Sequence, residues 1–343
     1  MVAIVYEEAR ASGWLRNKQF DLAFIGGITG LALASGAAVL LDHRLLVPIL
    51  LADLWFLGYH HVVSTFTRLC CDAQSRRQYS FLLFGVPVLI AAACLAAVSI
   101  TSGLWIIVSV YFYWQWFHYA RQSWGVAQSY RRKAGNSLPA PDVFDKVAFY
   151  ALPTAGMLWR SAQQPDSFLT LPIRMVPMPE TMAIAAIAVA VVVTAAWTLR
   201  LAAQYGQGRA PLAYVLYLIS HQVVFAVAYV AIRDITIGWL VVNIWHNAQY
   251  VLFVWMFNNR RFAAGLSPKA RLLSWLSQDG RILWYLGGCV AVSTAVYVTL
   301  ASVIPLVFAL PVFLVYQMIN FHHYVVDAVI WRREHVRAAL EHV

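Results

Sequence analysis

Apolar stretches of close to 20 residues recur from residue 22 to residue 331, separated by short polar segments in which Lys and Arg cluster. An α-helix rises 1.5 Å per residue, so about 20 apolar residues cross a hydrocarbon core of roughly 30 Å. The pattern predicts helices over 22–41, 45–68, 79–101, 104–128 and 147–164 in the first half. The second half yields 181–201, 211–231, 236–258, 282–303 and 307–331. The 147–164 run is short and interrupted by proline, and the break near Pro305 is weak, because one proline kinks a helix as readily as it ends one. Eight to ten crossings therefore fit. The expected fold is all-α, a polytopic bundle of about ten transmembrane helices forming one domain over 1–343. It comprises an N-terminal segment (1–21), the bundle (22–331) and a tail (332–343).

Composition agrees with this pattern. Of the 343 residues, 61% are hydrophobic and 12% charged, which excludes an ordinary globular class. The formal charge of +10 is consistent with nucleic-acid binding only if the basic residues form a patch. They instead sit at the ends of apolar runs, and no nucleic-acid partner is expected. Ten crossings with cytoplasmic N- and C-termini place all 25 Lys and Arg except Arg44, Arg160, Arg174 and Arg233 on the cytoplasmic side, as the positive-inside rule requires. The chain then belongs in the cytoplasmic (inner) membrane. Residues 1–20 lack the apolar core of a signal peptide. The four cysteines, Cys70, Cys71, Cys94 and Cys289, are not spaced as a disulfide framework. No Walker loop, GxGxxG, GxSxG or CxxC is present, which removes support for phosphate-driven transport, serine hydrolysis and covalent haem.

The unusual chemistry is histidine. His60, His61, His118, His221, His246, His322 and His323 fall inside predicted helices, each about 10–18 Å from the cytoplasmic end of its own helix at 1.5 Å per residue. His43, His335 and His342 fall outside. Polar side chains are costly in lipid and face protein or water, and imidazole is the commonest protein metal ligand. A shared depth thus points to a metal site, against the plainer reading in which each histidine bonds a neighbouring backbone or hydroxyl group.

Local sequence sharpens the choice. In GYHHVVSTFTRL, His60 and His61 point about 100° apart, and Asp53 lies two turns from His60 on the same face. In INFHHYVVDAVIW, Asp327 follows His323 by one helical turn, as a carboxylate ligand or as the acceptor that sets the tautomer of His323. His118 precedes Arg121 and Gln122, with Arg121 either in the site or reaching for the interface. Asn243, His246, Asn247, Gln249 and Tyr250 crowd two turns of NIWHNAQY. The expected ligands are His60, His61, His118, His246, His322, His323 and Asp327, with His221 a weaker member that could equally be structural. Asp53, Gln122, Asn243, Asn247 and Gln249 support them, and Tyr250 and Arg121 are the candidate catalytic groups. Trp114, Trp116, Phe117, Tyr119, Trp245, Phe321 and Tyr324 lie at the same level, suiting a hydrophobic substrate as well as ordinary packing.

This histidine set resembles, as a class, the integral-membrane non-haem iron enzymes: the lipid desaturases and hydroxylases, and the carotenoid-cleaving dioxygenases. Those desaturases and hydroxylases carry HxxxH and HxxHH boxes, whereas the histidines here are adjacent pairs and single residues, so no role is carried over by motif. The resemblance implies an oxidoreductase with one or two non-haem irons, a lipid-soluble substrate, and a cytoplasmic electron donor. His246 and Tyr250 are also similar to the His-x-x-x-Tyr of haem-copper oxidases, which keeps copper and haem, with zinc, as alternative cofactors. A haem- or quinone-binding electron-transfer protein and a metal or proton transporter are the competing functional classes.

Overall fold

A computed structural model describes residues 13–307, 311–332 and 334–336. The outermost parts of the expected N-terminal segment and tail, including His342, lie outside the described residues. Of the described residues, 82% are helical, so the all-α expectation holds. The helices are α1 (Lys18–Leu41), α2 (His43–Cys70), α3 (Ala73–Gln78), α4 (Ser80–Thr101), α5 (Trp105–Lys133), α6 (Val143–Gln163) and α7 (Glu180–Gly206). They continue as α8 (Leu212–Ala231), α9 (Ile235–Arg261), α10 (Arg271–Leu276), α11 (Ile282–Val307) and α12 (Val312–Ile330). Pro305 lies within α11 rather than ending it. An antiparallel hairpin pairs Ser167 with Pro172 and Phe168 with Leu171, an element that the apolar pattern does not predict.

Among the described residues six helices, α1, α2, α4, α7, α8 and α11, are long and apolar enough to cross a membrane, which marks the chain as a membrane protein. The other long helices, α5, α6, α9 and α12, are helical where expected but carry more polar residues. Exposure runs opposite to that of a water-soluble protein: Leu41, Ile100 and Leu283 are 89%, 83% and 77% exposed, while Asp21, Thr65, Asn247 and His323 are fully buried. Lipid as the solvent explains both halves of this inversion.

The chain forms two compact units. The first comprises residues 1–46 and 112–246, the second residues 47–111 and 247–343; α2, α5 and α9 contribute residues to both. In the first unit α6 packs along α7 through small side chains, with Leu152, Ala155 and Ala190 at the contact and Ala151, Ala186 and Ala226 around it. Close approach of helices through small residues is how bundles pack when lipid supplies no hydrophobic drive. Gly238 is one such contact: a Cβ there would run into the carbonyl oxygen of Ala228, with the Arg160 guanidinium 2.7 Å away. Gly238→Ala is therefore expected to lower the apparent stability by at least about 1–3 kcal/mol, read as a lower melting temperature in detergent; an unchanged melt would show that α9 can move away.

Asp21 organises the start of the same unit. Its carboxylate accepts hydrogen bonds from the backbone amides of Leu15, Arg16 and Asn17 and, at 2.5 Å, from the Tyr130 hydroxyl of α5. In the second unit α11 packs on α2, and α12 on α4. Leu69, Val326 and Ile330 form its buried apolar contact, and Tyr59 stacks on Tyr297 at 3.8 Å between ring centres.

Candidate metal centre

The second unit assembles its site from α2, α9 and α12. α2 contains one wide π-turn over Leu54–Gly58, and such turns displace backbone carbonyls from their regular partners. Two of the displaced carbonyls receive the histidine pair: Phe56 O lies 3.1 Å from His60 Nδ1, and Gly58 O lies 2.8 Å from His61 Nδ1. A carbonyl only accepts, so each of these nitrogens carries its proton, and each neutral ring turns a bare Nε2 lone pair the other way. His60 Nε2 is buried and has no hydrogen-bond partner among the described residues.

His61 Nε2 instead meets His323 Nε2 of α12 at 2.9 Å. The Asp327 carboxylate, one turn further along α12, places Oδ2 3.7 Å from the same His323 nitrogen. Its Oδ1 accepts from the Tyr250 hydroxyl of α9 at 2.7 Å and the Thr65 hydroxyl of α2 at 3.2 Å. Thr65 Oγ1 also lies 2.9 Å from His323 Nδ1 and 2.6 Å from the Tyr250 hydroxyl, which in turn accepts from Trp331 Nε1.

The Thr65 hydroxyl proton has two settings in this network. Given to His323 Nδ1, it leaves His323 protonated on Nε2, and the two imidazoles share an ordinary N–H···N hydrogen bond. Given to Asp327, it lets His323 Nδ1–H donate to Thr65, and both Nε2 atoms present lone pairs to each other. The second setting suits a cation between them. Imidazole nitrogens bind zinc at about 2.0–2.1 Å, and two such nitrogens at right angles about one ion lie about 2.9–3.0 Å apart. The spacing and the donor set, two imidazoles with a carboxylate beside them, fit a divalent metal.

The first unit holds its own polar group. His118 of α5 and His246 of α9 are buried with ring centres 5.1 Å apart, and Tyr119 lies 4.0 Å from His246. The Tyr119 hydroxyl donates to Asn243 Oδ1 and accepts from Gln115, whose side-chain oxygen accepts from Trp239 Nε1 at 2.7 Å. These bonds orient the Gln115 amide and fix Tyr119 beside the two imidazoles.

The remaining expected residues are placed as follows. His221 uses both ring nitrogens, on Ser123 Oγ at 2.9 Å and Phe149 O at 3.1 Å, and stacks on Phe149. His322 directs Nε2 to Leu82 O at 2.6 Å. Asp53, Asn247 and Gln249 are buried, and both Asn247 amide atoms have no hydrogen-bond partner among the described residues. Gln122 is half-buried, whereas Arg121 is exposed. Tyr250 stands at the centre of the second unit's network. Thr65 and Trp331 belong to that network too; neither was expected, because Thr65 joins it through His323, Tyr250 and Asp327 on other helices and Trp331 through Tyr250. Compared with known protein families, curated proteins and solved structures, the chain gives no match.

Proposed function

We propose that this chain is a metal-dependent membrane oxidoreductase, a non-haem iron oxygenase, hydroxylase or desaturase acting on a lipid-soluble substrate. The supporting observation is the donor set of the second unit. Two histidines and one carboxylate are the ligands typical of non-haem iron(II) oxygenases that keep open positions. His61, His323 and Asp327 are the ligands in this reading, and His118 and His246 are the first unit's metal-binding pair. Bound iron would supply dioxygen activation and redox chemistry. The protein's share is orientation: the Gly58 carbonyl holds the tautomer of His61, Thr65 that of His323, and the Tyr250 hydroxyl ties down Asp327. Such partners outside the ligands raise ligand basicity and fix ring direction. About ten crossings of the cytoplasmic membrane, with both termini and the electron donor on the cytoplasmic side, complete the proposal.

A second reading rests on the hydrogen-bonded path from His61 through His323 and Thr65 to Tyr250 and Asp327, because a movable proton within buried titratable groups is also what proton or metal transport uses. Metal analysis of detergent-purified, untagged protein by plasma mass spectrometry, with an absorption spectrum, separates these readings. Stoichiometric iron without a Soret band is expected. His61→Ala, His118→Ala, His246→Ala and His323→Ala should each lower the bound iron, and His43→Ala should not. A Soret band would move the assignment to haem. Equal metal in all variants would reject the ligand assignment, and metal-free protein showing ion flux would favour transport.

A further inference from the structure

The end of the second unit beyond the histidines buries more positive charge, and more hydrogen-bond donors, than the described chain satisfies. Arg68 of α2 and Arg261 of α9 are 3% and 8% exposed, and Asn258 of α9 is fully buried. Arg261 uses Nη2 on Asp72 Oδ2 at 2.6 Å, while its Nε and Nη1 have no hydrogen-bond partner among the described residues. Arg68 donates from Nη2 to the carbonyl of His335 at 3.3 Å, and its Nη1 likewise has no such partner. Neither amide atom of Asn258 has one.

These groups share one place. The Arg68 guanidinium lies 4.6 Å from the ring centre of Phe257 and 4.5 Å from that of Trp331, so it faces the turn of α9 that carries Phe257, Asn258 and Arg261. Arg261 follows Phe257 by one helical turn and so lies on the face of α9 that Arg68 covers. The nearby carboxylates are already engaged. Asp72 accepts from Arg261, Ser75 Oγ and the Gln74 amide; burial alone would raise the pKa of its carboxyl, but these bonds prevail and hold it below the ordinary carboxylate range. Asp327 is held by Tyr250 and Thr65.

A buried donor left without an acceptor costs about 1–3 kcal/mol, and more when it is charged. Each Nη1 and the Asn258 amide nitrogen carry two hydrogens and Nε one, which is more than one further carboxylate could accept with good geometry. A tetrahedral oxyanion offers acceptors in several directions, and paired guanidinium groups match phosphate oxygens in both shape and charge. We propose that Arg68, Asn258 and Arg261 form a binding site for a phosphate group, carried either on a lipid headgroup or as free phosphate. The site is independent of the metal assignment.

The test uses the full-length protein, stripped of lipid in detergent. Its melting is followed with inorganic phosphate against sodium chloride at matched ionic strength, and its retention of phosphatidic acid against phosphatidylcholine is read by native mass spectrometry. A saturable response to at least one phosphate ligand is expected, weakened about 10–100-fold in Arg68→Gln and Arg261→Gln, the range expected for losing a charge-assisted hydrogen bond, and unchanged in Arg77→Gln, an exposed neighbour. Response to inorganic phosphate identifies a soluble ligand; retention of phosphatidic acid alone identifies a lipid headgroup. Absence of both responses, or equal responses in all variants, overturns the proposal. Asn258→Asp guards against variants that fail to fold: it places a carboxylate among the surplus donors, so the ligand-free protein should melt higher and lose its phosphate response. A lower melt with the response intact also overturns the site.

Discussion

Protein carrying Asp327→Asn is expected to bind the proposed metal about 10–100-fold more weakly than the native chain, the usual loss when a group that orients or completes a metal site is changed. Asparagine keeps the size of the side chain and a carbonyl oxygen for the Tyr250 and Thr65 hydroxyls, so the helix contacts survive. What it removes is the negative charge 3.7 Å from His323 Nε2, which stabilises a cation between the imidazoles whether Asp327 binds it directly or only holds His323. Competition with a graded series of chelators measures the change. Tyr250→Phe should give a smaller loss in the same assay, because Asp327 then keeps its charge and its Thr65 bond while losing its 2.7 Å donor. Undiminished affinity in Asp327→Asn would remove the carboxylate from the site and leave two histidines, too few to hold an ion firmly.

Arg160→Met should cost about 3–5 kcal/mol of apparent stability, the largest loss expected from one substitution in the first unit. Arg160 is almost wholly buried. Its guanidinium donates to the carbonyls of Ala228, Ile232 and Arg233 and to the Gln163 side chain. Those carbonyls close the C-terminal end of α8, where helix geometry leaves acceptors without partners and where positive charge is favoured. Methionine fills part of the volume but leaves the buried carbonyls of Ala228 and Ile232 unmet, each worth about 1–3 kcal/mol, and also frees the part-buried carbonyl of Arg233. Arg160→Lys should recover part of the loss, since an ammonium cannot reach three divergent carbonyls with the guanidinium's fork. Thermal and denaturant melts in detergent give the comparison, and a change below about 1 kcal/mol would mean that the α8 end finds other donors.

Arg160 also shows where reading by composition stops. It is one of four basic residues that break the positive-inside pattern, and the pattern offers no reason for it. The structure does: the side chain caps α8 instead of marking a membrane face. Arg121 is the opposite case. Helical spacing puts it near His118, yet its side chain is exposed while that of His118 is buried.

The helices themselves were legible in the residue order. An isolated segment in lipid must satisfy its backbone within itself, so run length and apolar content suffice to locate it, and every predicted run lies largely within a helix. The burial of the histidines was legible for the same reason, since lipid makes exposure of imidazole expensive. Which nitrogen of which ring meets which partner was not. His221 and His323 look alike as single letters in apolar sequence, but His221 spends both nitrogens on Ser123 and Phe149, while His323 turns Nε2 toward His61. Thr65 and Trp331 entered the network only through residues far away in the chain. Sequence by itself determined the helices, their apolar exteriors and the polar residues that must be buried, because these follow from local hydrogen bonding and transfer from lipid. Only the tertiary structure decided that His61, His323 and Asp327 come together and that donors are in surplus around Arg261, because both depend on directional contacts a few ångströms long between helices that the chain order does not place side by side.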